Sequence, residues 1–294
     1  MIFERQYKNL LVMHNEYFQM HRSWLLVGTT VLLLVLLLAV TFTCGHDGEA
    51  PSPAATPRDY PDIIREGVIR ATTEYNSVSF YVDSDTVSGF NHDLLHAFAR
   101  DHGLRVDIIP EMDFDRCLRA LAGGTSDLIA NGILATSELR DSLLLTTPIM
   151  LSRQVLVQRR CADDADTTFI RSLIDLGGKT VHVVKQSPYI LRLRNLGDEI
   201  GDTIYICEVE RYGSEQLIAL VAHGDIDYAV CEESIAQAAA DSLPQIDIST
   251  AIGFSQFYSW AVSKQSPELL DTLNAWIDRF KQGREYERLY RKYY

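Results

Sequence analysis

Apolar positions along most of the chain follow two spacings, one typical of buried β-strands and one typical of amphipathic helices. Short runs rich in β-branched residues are followed by segments whose apolar residues recur three and four positions apart. Such an alternation predicts parallel strands covered by helices. The predicted elements of the first unit are a strand at 67–75, a helix at 90–103, a strand at 104–110, a helix at 114–124 and a strand at 126–132.

The same alternation begins again after an irregular stretch. A last strand at 257–264 and an amphipathic helix at 267–283 then close the chain. Two α/β units joined by extended crossings predict two lobes with a cleft between them, and ligands of such folds lie beyond the C-terminal ends of the strands. The predicted elements of the second unit are a strand at 178–185, a helix at 187–197, a strand at 203–210, a helix at 214–224 and a strand at 226–232.

The pattern is different near the N-terminus, where no charged residue occurs from Ser23 to Gly45. About 20 apolar residues are enough to span a bilayer as a helix. Basic residues precede this segment and acidic residues follow it, which places the N-terminus in the cytoplasm and the remaining chain outside. The sequence therefore predicts a cytoplasmic N-terminus over 1–23, a transmembrane or signal segment over 24–44 and a flexible linker over 45–60.

Two interpretations of the apolar segment stay open. It is either an uncleaved signal anchor or a lipoprotein signal peptide that starts at Met20 and is lipidated at Cys44. The apolar run that ends in cysteine favours the lipoprotein, whereas Phe42 departs from the small residues expected just before a lipidated cysteine. Both interpretations attach the protein to a membrane with its bulk on the extracytoplasmic side.

Charge and cysteine spacing exclude several classes of function. The chain has 27 basic and 40 acidic residues, a net charge of −13, and no basic stripe, so it is not expected to bind nucleic acid. Its five cysteines form no Cys-x-x-Cys pair. His92 and His96, four residues apart on a predicted helix, lack a third zinc ligand at motif spacing. We therefore expect no metal centre and no cofactor.

Six segments between residues 89 and 294 carry a family resemblance. They are GFNHDLLHAFA (89–99), LRALAGGTSDLIANGILATSELR (118–140), TTPIMLSRQVLVQR (146–159), GKTVHVVKQSPY (178–189), LVAHGDIDYAVCEES (220–234) and GREYERLYRKYY (283–294). In this order they resemble the family 3 bacterial solute-binding proteins, the periplasmic receptors for polar amino acids. Within that family they are most similar to the N-terminal binding domain of membrane-bound lytic transglycosylase F.

The resemblance implies an α/β fold of the two-lobed periplasmic binding protein type (type II) over 61–294. Each lobe would be a mainly parallel sheet with flanking helices, lobe 1 from 61–153 and 256–294 and lobe 2 from 154–255, and the lobes would close by a hinge. The transglycosylase continues into a catalytic domain with a general-acid glutamate, whereas this sequence stops where the binding domain ends. We therefore expect a binding protein and not an enzyme.

The resemblance also implies site residues in lobe 1. In related receptors an aromatic side chain after the first strand covers the ligand, which makes Tyr75, Phe80 and Tyr81 candidates; each has the alternative of packing the hinge or core. Asn131 and Gly132, at the end of the third strand, offer a side-chain amide and a backbone that a ligand can approach closely.

A second lobe 1 candidate departs from the family pattern. The family's carboxylate-binding arginine ends a Thr-x-x-Arg pattern, whereas here Thr136 is followed by Leu139 and then Arg140. One position on a helix turns a side chain by about 100°. Arg140 is thus either an offset ligand residue beside Thr136 or a solvated arginine at a helix end.

The candidates in lobe 2 lie at two strand ends. Gln186 and Ser187 stand between a strand and a helix, where free backbone N–H groups and the serine hydroxyl can bind an anion; Ser187 is alternatively only a helix cap. Glu232 aligns with the family's aspartate that accepts the ligand's ammonium group. Glu233 is its competitor, and an outward-facing, solvated Glu232 is the other alternative.

These expectations combine into a membrane-tethered extracytoplasmic protein that clamps a small polar ligand, either an amino acid, a short peptide or a cell-wall peptide. Its partner would be an ABC transporter permease in uptake or another membrane protein in sensing. One alternative is a ligand-free docking module of cell-wall metabolism, for which the offset Arg140 is the best argument. Another is an enzyme similar to cyclohexadienyl dehydratase that uses acids in the cleft.

Overall fold

The computed structural model of the protein describes residues 56–294 apart from 162–165 and Arg211. The described residues belong to one compact unit. The predicted segment at 24–44, with Cys44, lies outside the described residues. Among the helices that are described, none is long and apolar enough to cross a membrane.

The described elements follow the predicted alternation of strands and helices. The helices are α1 (Tyr60–Glu66), α2 (Phe90–His102), α3 (Phe114–Ala122), α4 (Ser137–Ser142), α5 (Tyr189–Ile200), α6 (Ser214–His223), α7 (Glu233–Ala240), α8 (Pro267–Phe280) and α9 (Arg284–Tyr293). The strands are β1 (Val68–Thr73), β2 (Tyr81–Asp83), β3 (Thr86–Ser88), β4 (Arg105–Pro110), β5 (Leu128–Leu134), β6 (Leu143–Leu145), β7 (Met150–Ser152), β8 (Gln154–Arg159), β9 (Thr180–Val184), β10 (Tyr205–Val209), β11 (Tyr228–Glu232), β12 (Ile246–Asp247) and β13 (Gln256–Ser263).

The strands form two larger sheets, each at the centre of one lobe. The sheet of lobe 1 has the order β4-β1-β5-β13-β6, with β7 also paired to β13, and the sheet of lobe 2 has the order β10-β9-β11-β8-β12. The chain passes from the first sheet to the second between β7 and β8 and returns between β12 and β13. Strands β2 and β3 form a separate hairpin.

The sheets are mixed, which corrects the prediction that they are mainly parallel. Strand β1 runs parallel to β4 and β5, and β9 runs parallel to β10 and β11. By contrast, β13 is antiparallel to β5, β6 and β7, and β8 is antiparallel to β11 and β12. The reason is that β8 and β13 enter their sheets from the opposite lobe, so they start where the parallel strands end.

A close backbone contact positions the loop that follows β1. Gly89 has φ +139°, and a Cβ atom at this position would lie 2.2 Å from the backbone oxygen of Ser79, so only glycine fits. The adjacent N–H groups of Phe90 and His92 donate to the carbonyl oxygens of Val78 and Ser79. The N-terminal end of α2 therefore holds this loop in place.

Residues 58 and 59, which the sequence assigns to the linker, are packed against lobe 1. The buried Arg58 side chain donates from Nε to Asp127 Oδ1 at 2.9 Å and pairs with Glu66 at 2.5 Å. The Asp59 carboxylate caps α1 and accepts a hydrogen bond from the backbone N–H of Leu269 at 2.8 Å. The folded lobe thus includes residues from Arg58 onward.

The substitution Arg58→Met should lower the free energy of unfolding by about 3–5 kcal/mol, because it leaves the fully buried Asp127 carboxylate without its ionic partner. Urea unfolding of the full chain measures this change. The matched control is Arg65→Met, whose ion pair with Asp62 is exposed and contributes at most about 1 kcal/mol. Equal losses in the two variants would contradict the assignment.

Candidate functional site

Residues near the C-terminal ends of β1 and β5 in lobe 1 and of β11 in lobe 2 lie close together where the two lobes meet. Glu74, just after β1, donates its backbone N–H to Asn131 Oδ1 of β5 at 2.8 Å. A Cβ atom on Gly132 would lie 2.7 Å from Met150 Cε, 3.2 Å from Tyr258 Cδ1 and 3.7 Å from Glu232 Oε2, so protein side chains already occupy the space beside this glycine. We call Glu74, Asn131, Gly132, Glu232 and Tyr258 the interlobe site.

Direct contacts hold the two lobes together around this site. The backbone N–H of Ser77 in lobe 1 donates to Glu215 Oε1 of α6 at 2.7 Å. The Gln186 side-chain amide in lobe 2 donates to Asp115 Oδ2 of α3 at 2.7 Å. Val78, on the loop of lobe 1, is buried within the hydrophobic cluster of lobe 2. The lobes are therefore closed over the site.

Glu232 is buried at the end of β11, where the Ser234 hydroxyl donates to its Oε1 at 2.5 Å. Burial raises the pKa of Glu232, hydrogen bonds from the Ser234 and Ser152 hydroxyls lower it, and the charge of Glu233 raises it further. Glu233 itself lies outside this environment, paired with Arg153 at 2.6 Å. Of the two glutamates, Glu232 is the one that faces the interlobe site.

Glu74 is a second carboxyl in the same space, contributed by the other lobe. Burial, and then the charge of Glu232, raise the pKa of Glu74 to about 7, while Asn76 lowers it and Glu215 raises it. At neutral pH the Glu74 carboxyl is therefore close to half-protonated. The sequence analysis did not select Glu74, because the predicted strand at 67–75 placed it inside the strand, whereas β1 ends at Thr73.

Asn76 supports the Glu74 carboxyl from the following turn. Its Oδ1 accepts hydrogen bonds from the backbone N–H groups of Val78 at 3.0 Å and Ser79 at 2.7 Å. This arrangement turns the buried Nδ2 toward Glu74, where its N–H group interacts with the carboxyl and lowers the pKa of Glu74. The side chain is thus a fixed donor beside this carboxyl.

Three buried tyrosines lie near Glu232. Burial raises the pKa of Tyr189, Tyr258 and Tyr294, and the charge of Glu232 raises all three further. The Tyr258 hydroxyl accepts a hydrogen bond from Gln154 Nε2 at 3.0 Å, which links β8 to β13 where the chain crosses between the lobes. These phenols stay protonated and give the site apolar walls with polar edges.

The predicted aromatic candidates separate in the structure. Phe80 is buried and packs edge-on against Tyr75, with ring centroids 6.1 Å apart, and against His92 at 6.0 Å. Tyr75 follows Glu74 directly and is 45% exposed. Tyr81 lies on β2, where it pairs with Ser88. Of the three, Tyr75 stands next to the interlobe site along the chain.

The structure does not bring Arg140 to the interlobe site. Thr136 caps α4 by accepting a hydrogen bond from the backbone N–H of Leu139 at 3.3 Å. Arg140 is exposed, and its carbonyl oxygen accepts from Lys264 Nζ at 2.7 Å. Lys264 follows the C-terminal end of β13, whereas the site lies near the start of that strand. Helix α4 thus carries Arg140 away from the cleft.

Gln186 and Ser187 line the lobe 2 side where it faces lobe 1. Gln186 adopts a left-handed backbone conformation, with φ +59°, and its side chain bonds Asp115 across the cleft. The Ser187 Oγ is buried without a hydrogen-bond partner. Because α5 begins at Tyr189 after Pro188, Ser187 does not act as the helix cap, and it stays a predicted ligand contact.

His92 of α2 contacts His96 and Asp93. The rings of His92 and His96 lie 4.3 Å apart, and His92 Nδ1 is 2.8 Å from Asp93 Oδ1. Within the residues that the structure describes, no group of three or more His, Cys, Asp or Glu side chains is placed to hold a metal ion.

Known proteins share both the sequence pattern and the fold of this chain. Residues 68–294 match the family model of bacterial extracellular solute-binding proteins, family 3. A membrane-bound lytic murein transglycosylase F from Desulfosudis oleivorans is 29% identical over 232 residues, which are 79% of this chain and 50% of that protein. The chain spans about half the length of the curated relatives it matches.

Solved structures share the fold of type II periplasmic binding proteins. A variant of ArgBP from T. maritima has a TM-score of 0.68 at 24% identity and covers 79% of this chain and 97% of its own. An ancestral arginine-binding protein, solved with bound arginine, has a TM-score of 0.67 at 26% identity and covers 78% of this chain and 98% of its own. The two-lobed α/β fold implied by the six sequence segments is confirmed.

The unusual pKa of Glu74 predicts a pH dependence of stability that Glu74→Gln removes. The pKa is about 7 in the folded protein against an ordinary 4.5, so the protonated form is favoured on folding. This contribution is fully present below pH 4.5 and is lost as pH rises through about 7. It reaches at most about 3 kcal/mol.

Urea unfolding of the full chain at pH 5 and pH 8 measures this effect. The unaltered protein should lose more stability between these two values than Glu74→Gln does. Glu138→Gln, an exposed carboxylate on α4, should behave like the unaltered protein. The same pH dependence with and without Glu74 would refute the assignment.

Proposed function

Since the chain belongs to the bacterial extracellular solute-binding proteins of family 3, we propose that it clamps a small polar ligand between its two lobes. One observation carries this proposal. Glu74 of lobe 1, just after β1, and Glu232 of lobe 2, at the end of β11, are both buried and lie close enough that the charge of Glu232 raises the pKa of Glu74. Ligands of α/β folds bind at this kind of position.

Contributions from both lobes make the site suited to a clamp. A ligand that contacts Glu74 and Glu232 together interacts fully only when the lobes are closed. Binding therefore shifts the population toward the closed form. The bonds from Ser77 to Glu215 and from Gln186 to Asp115 form in the same closed arrangement and add to its stability.

The proposed ligand is an amino acid, a short peptide or a cell-wall peptide. Neighbouring structures support the first class, because the ancestral arginine-binding protein was solved with arginine and with glutamine. The curated relatives named membrane-bound lytic murein transglycosylase F support the last class. All of these compounds carry an ammonium group, and the Glu232 carboxylate at the end of β11 can accept a hydrogen bond from it.

The proposed location is the extracytoplasmic face of a membrane, with residues 24–44 as the anchor or Cys44 as a lipid attachment point. The relatives named as membrane-bound support this location. The protein would deliver its ligand to an ABC transporter permease or report it to a membrane partner. Amino-acid ABC transporters use substrate-binding proteins of this fold, which supports delivery. A permanent transmembrane anchor would favour sensing.

The role proposed here is binding without catalysis. The carboxyls of the site are held by hydroxyls and an amide, an arrangement suited to a polar ligand. The alternative of a docking module that binds no ligand relies on the absence of Arg140 from the cleft. Glu74 and Glu232 still provide charged groups for a polar ligand there. No observation on the described residues favours the dehydratase alternative.

Thermal unfolding of the full chain in mild detergent, against a panel of amino acids, dipeptides and murein peptides, tests the clamp. A ligand at 100 times its Kd should stabilise the protein by about 2.7 kcal/mol and raise the Tm by several degrees. Glu232→Gln should lose this shift, whereas Glu138→Gln should keep it. The absence of a shift with every compound would reject the proposal.

A further inference from the structure

The outer edge of the lobe 1 sheet is formed by β4, which among the described strands pairs with β1 alone. Arg105 donates its backbone N–H to the carbonyl oxygen of Gly67, on the side of β1. The backbone groups of successive strand residues point to alternate sides, so those of Val106 and Ile108 point to the open side. An open edge of this kind is a template for pairing with another strand.

An open cavity of about 710 Å³ borders this edge. Its wall includes residues 104–107 of β4, together with His96 and Arg100 of α2 and Arg70 of β1. Helix α2 therefore flanks the edge without covering it. Within the described part of the chain, a further strand has room to lie beside β4.

The two faces of β4 differ in chemistry. Leu104, Val106 and Ile108 are half-buried and pack against the core of lobe 1. Arg105 and Asp107 are exposed on the opposite face, and neither forms an ion pair with any described residue. The strand thus presents an apolar face and a face with one charge of each sign, two positions apart.

We propose that β4 is the interface with a second copy of this chain, which adds its own β4 in antiparallel orientation and joins the two lobe 1 sheets. The pairing places Val106 of the two copies opposite each other, so that they exchange their backbone hydrogen bonds. Arg105 of each copy then lies opposite Asp107 of the other, at positions where opposed side chains are closest. Opposite charges at such positions stabilise a strand pair.

The two charges select this register over its neighbours. Outward-pointing backbone groups must face each other in an antiparallel pair, so the register changes only in steps of two residues. A shift of one step places Arg105 opposite Arg105 of the second copy in one direction, and Asp107 opposite Asp107 in the other. Both shifted pairings oppose like charges, which is destabilising. The sequence of β4 is therefore self-complementary in one register.

Apolar contacts follow from the same register. Leu104 lies opposite Ile108 of the second copy, on the face that carries Val106, so the exposed parts of these side chains become buried together. Pro110, which has no N–H to donate, ends β4 beyond the paired residues and costs no hydrogen bond. Because the contact is short, we expect a weak, reversible dimer.

Sedimentation velocity of the full chain in mild detergent, over a series of concentrations, tests the proposal. The unaltered chain should form a reversible dimer. Arg105→Asp and Asp107→Arg each oppose like charges at both symmetric positions, so each should weaken self-association at least about tenfold. Arg65→Asp makes the same change of charge at an exposed position of α1 and should leave the dimer unchanged.

Mixing the two weakened variants provides the sharpest comparison. When an Arg105→Asp chain meets an Asp107→Arg chain, both cross-strand pairs again join opposite charges. The mixture should therefore dimerise although neither variant does so alone, and the double variant Arg105→Asp/Asp107→Arg should dimerise by itself. Thermal unfolding of each variant checks that it is folded.

Three results would overturn the proposal. A chain that stays monomeric across the series would exclude a second copy and leave the edge to a strand of another protein. Dimerisation that both single variants retain would place the contact elsewhere on the chain. Loss of the dimer in both single variants without recovery in their mixture would exclude the antiparallel register.

Discussion

The close approach of Gly89 to the backbone of Ser79 is the constraint on which the functional part of the fold depends. It lets the N-terminal end of α2 hold the loop after β1, and that loop carries Glu74, Asn76 and Val78 to lobe 2. A side chain at position 89 would push the loop away, and the carboxyl of lobe 1 would no longer face the carboxyl of lobe 2. The chemistry of the cleft therefore relies on a residue that makes no contact with it.

Periodicity located the longer elements, such as α2, β5 and α8, because each is amphipathic over several residues. The short helices α1, α4 and α7 and the strands β2, β3, β6, β7, β8 and β12 were not predicted. Strand direction was harder to predict: β8 and β13 enter from the opposite lobe, and their antiparallel pairing depends on where the chain crosses rather than on local sequence. The packing of Arg58 was also missed, since its partner Asp127 is distant in the sequence and nothing local distinguishes a buried arginine from a solvated one.

The site was predictable where it depended on strand ends and unpredictable where it depended on pairing between lobes. Glu232 lies at the end of β11 and Gly132 two residues before the end of β5, and the structure brings the two residues close to each other. The role of Glu74 emerges only when the other lobe supplies a second carboxyl. The one-residue offset of Arg140 in the family pattern corresponds to a real displacement, because α4 leads the chain away from the cleft.

The insertion of Val78 into the hydrophobic cluster of lobe 2 shifts the balance between the open and closed forms. Each opening of the lobes must return this side chain to water, at a cost of roughly 1.5–3 kcal/mol. The open form is thereby disfavoured roughly ten- to a hundredfold even before the ligand adds its own contacts. The closed form is thus stabilised partly by an apolar side chain that need not touch the captured molecule.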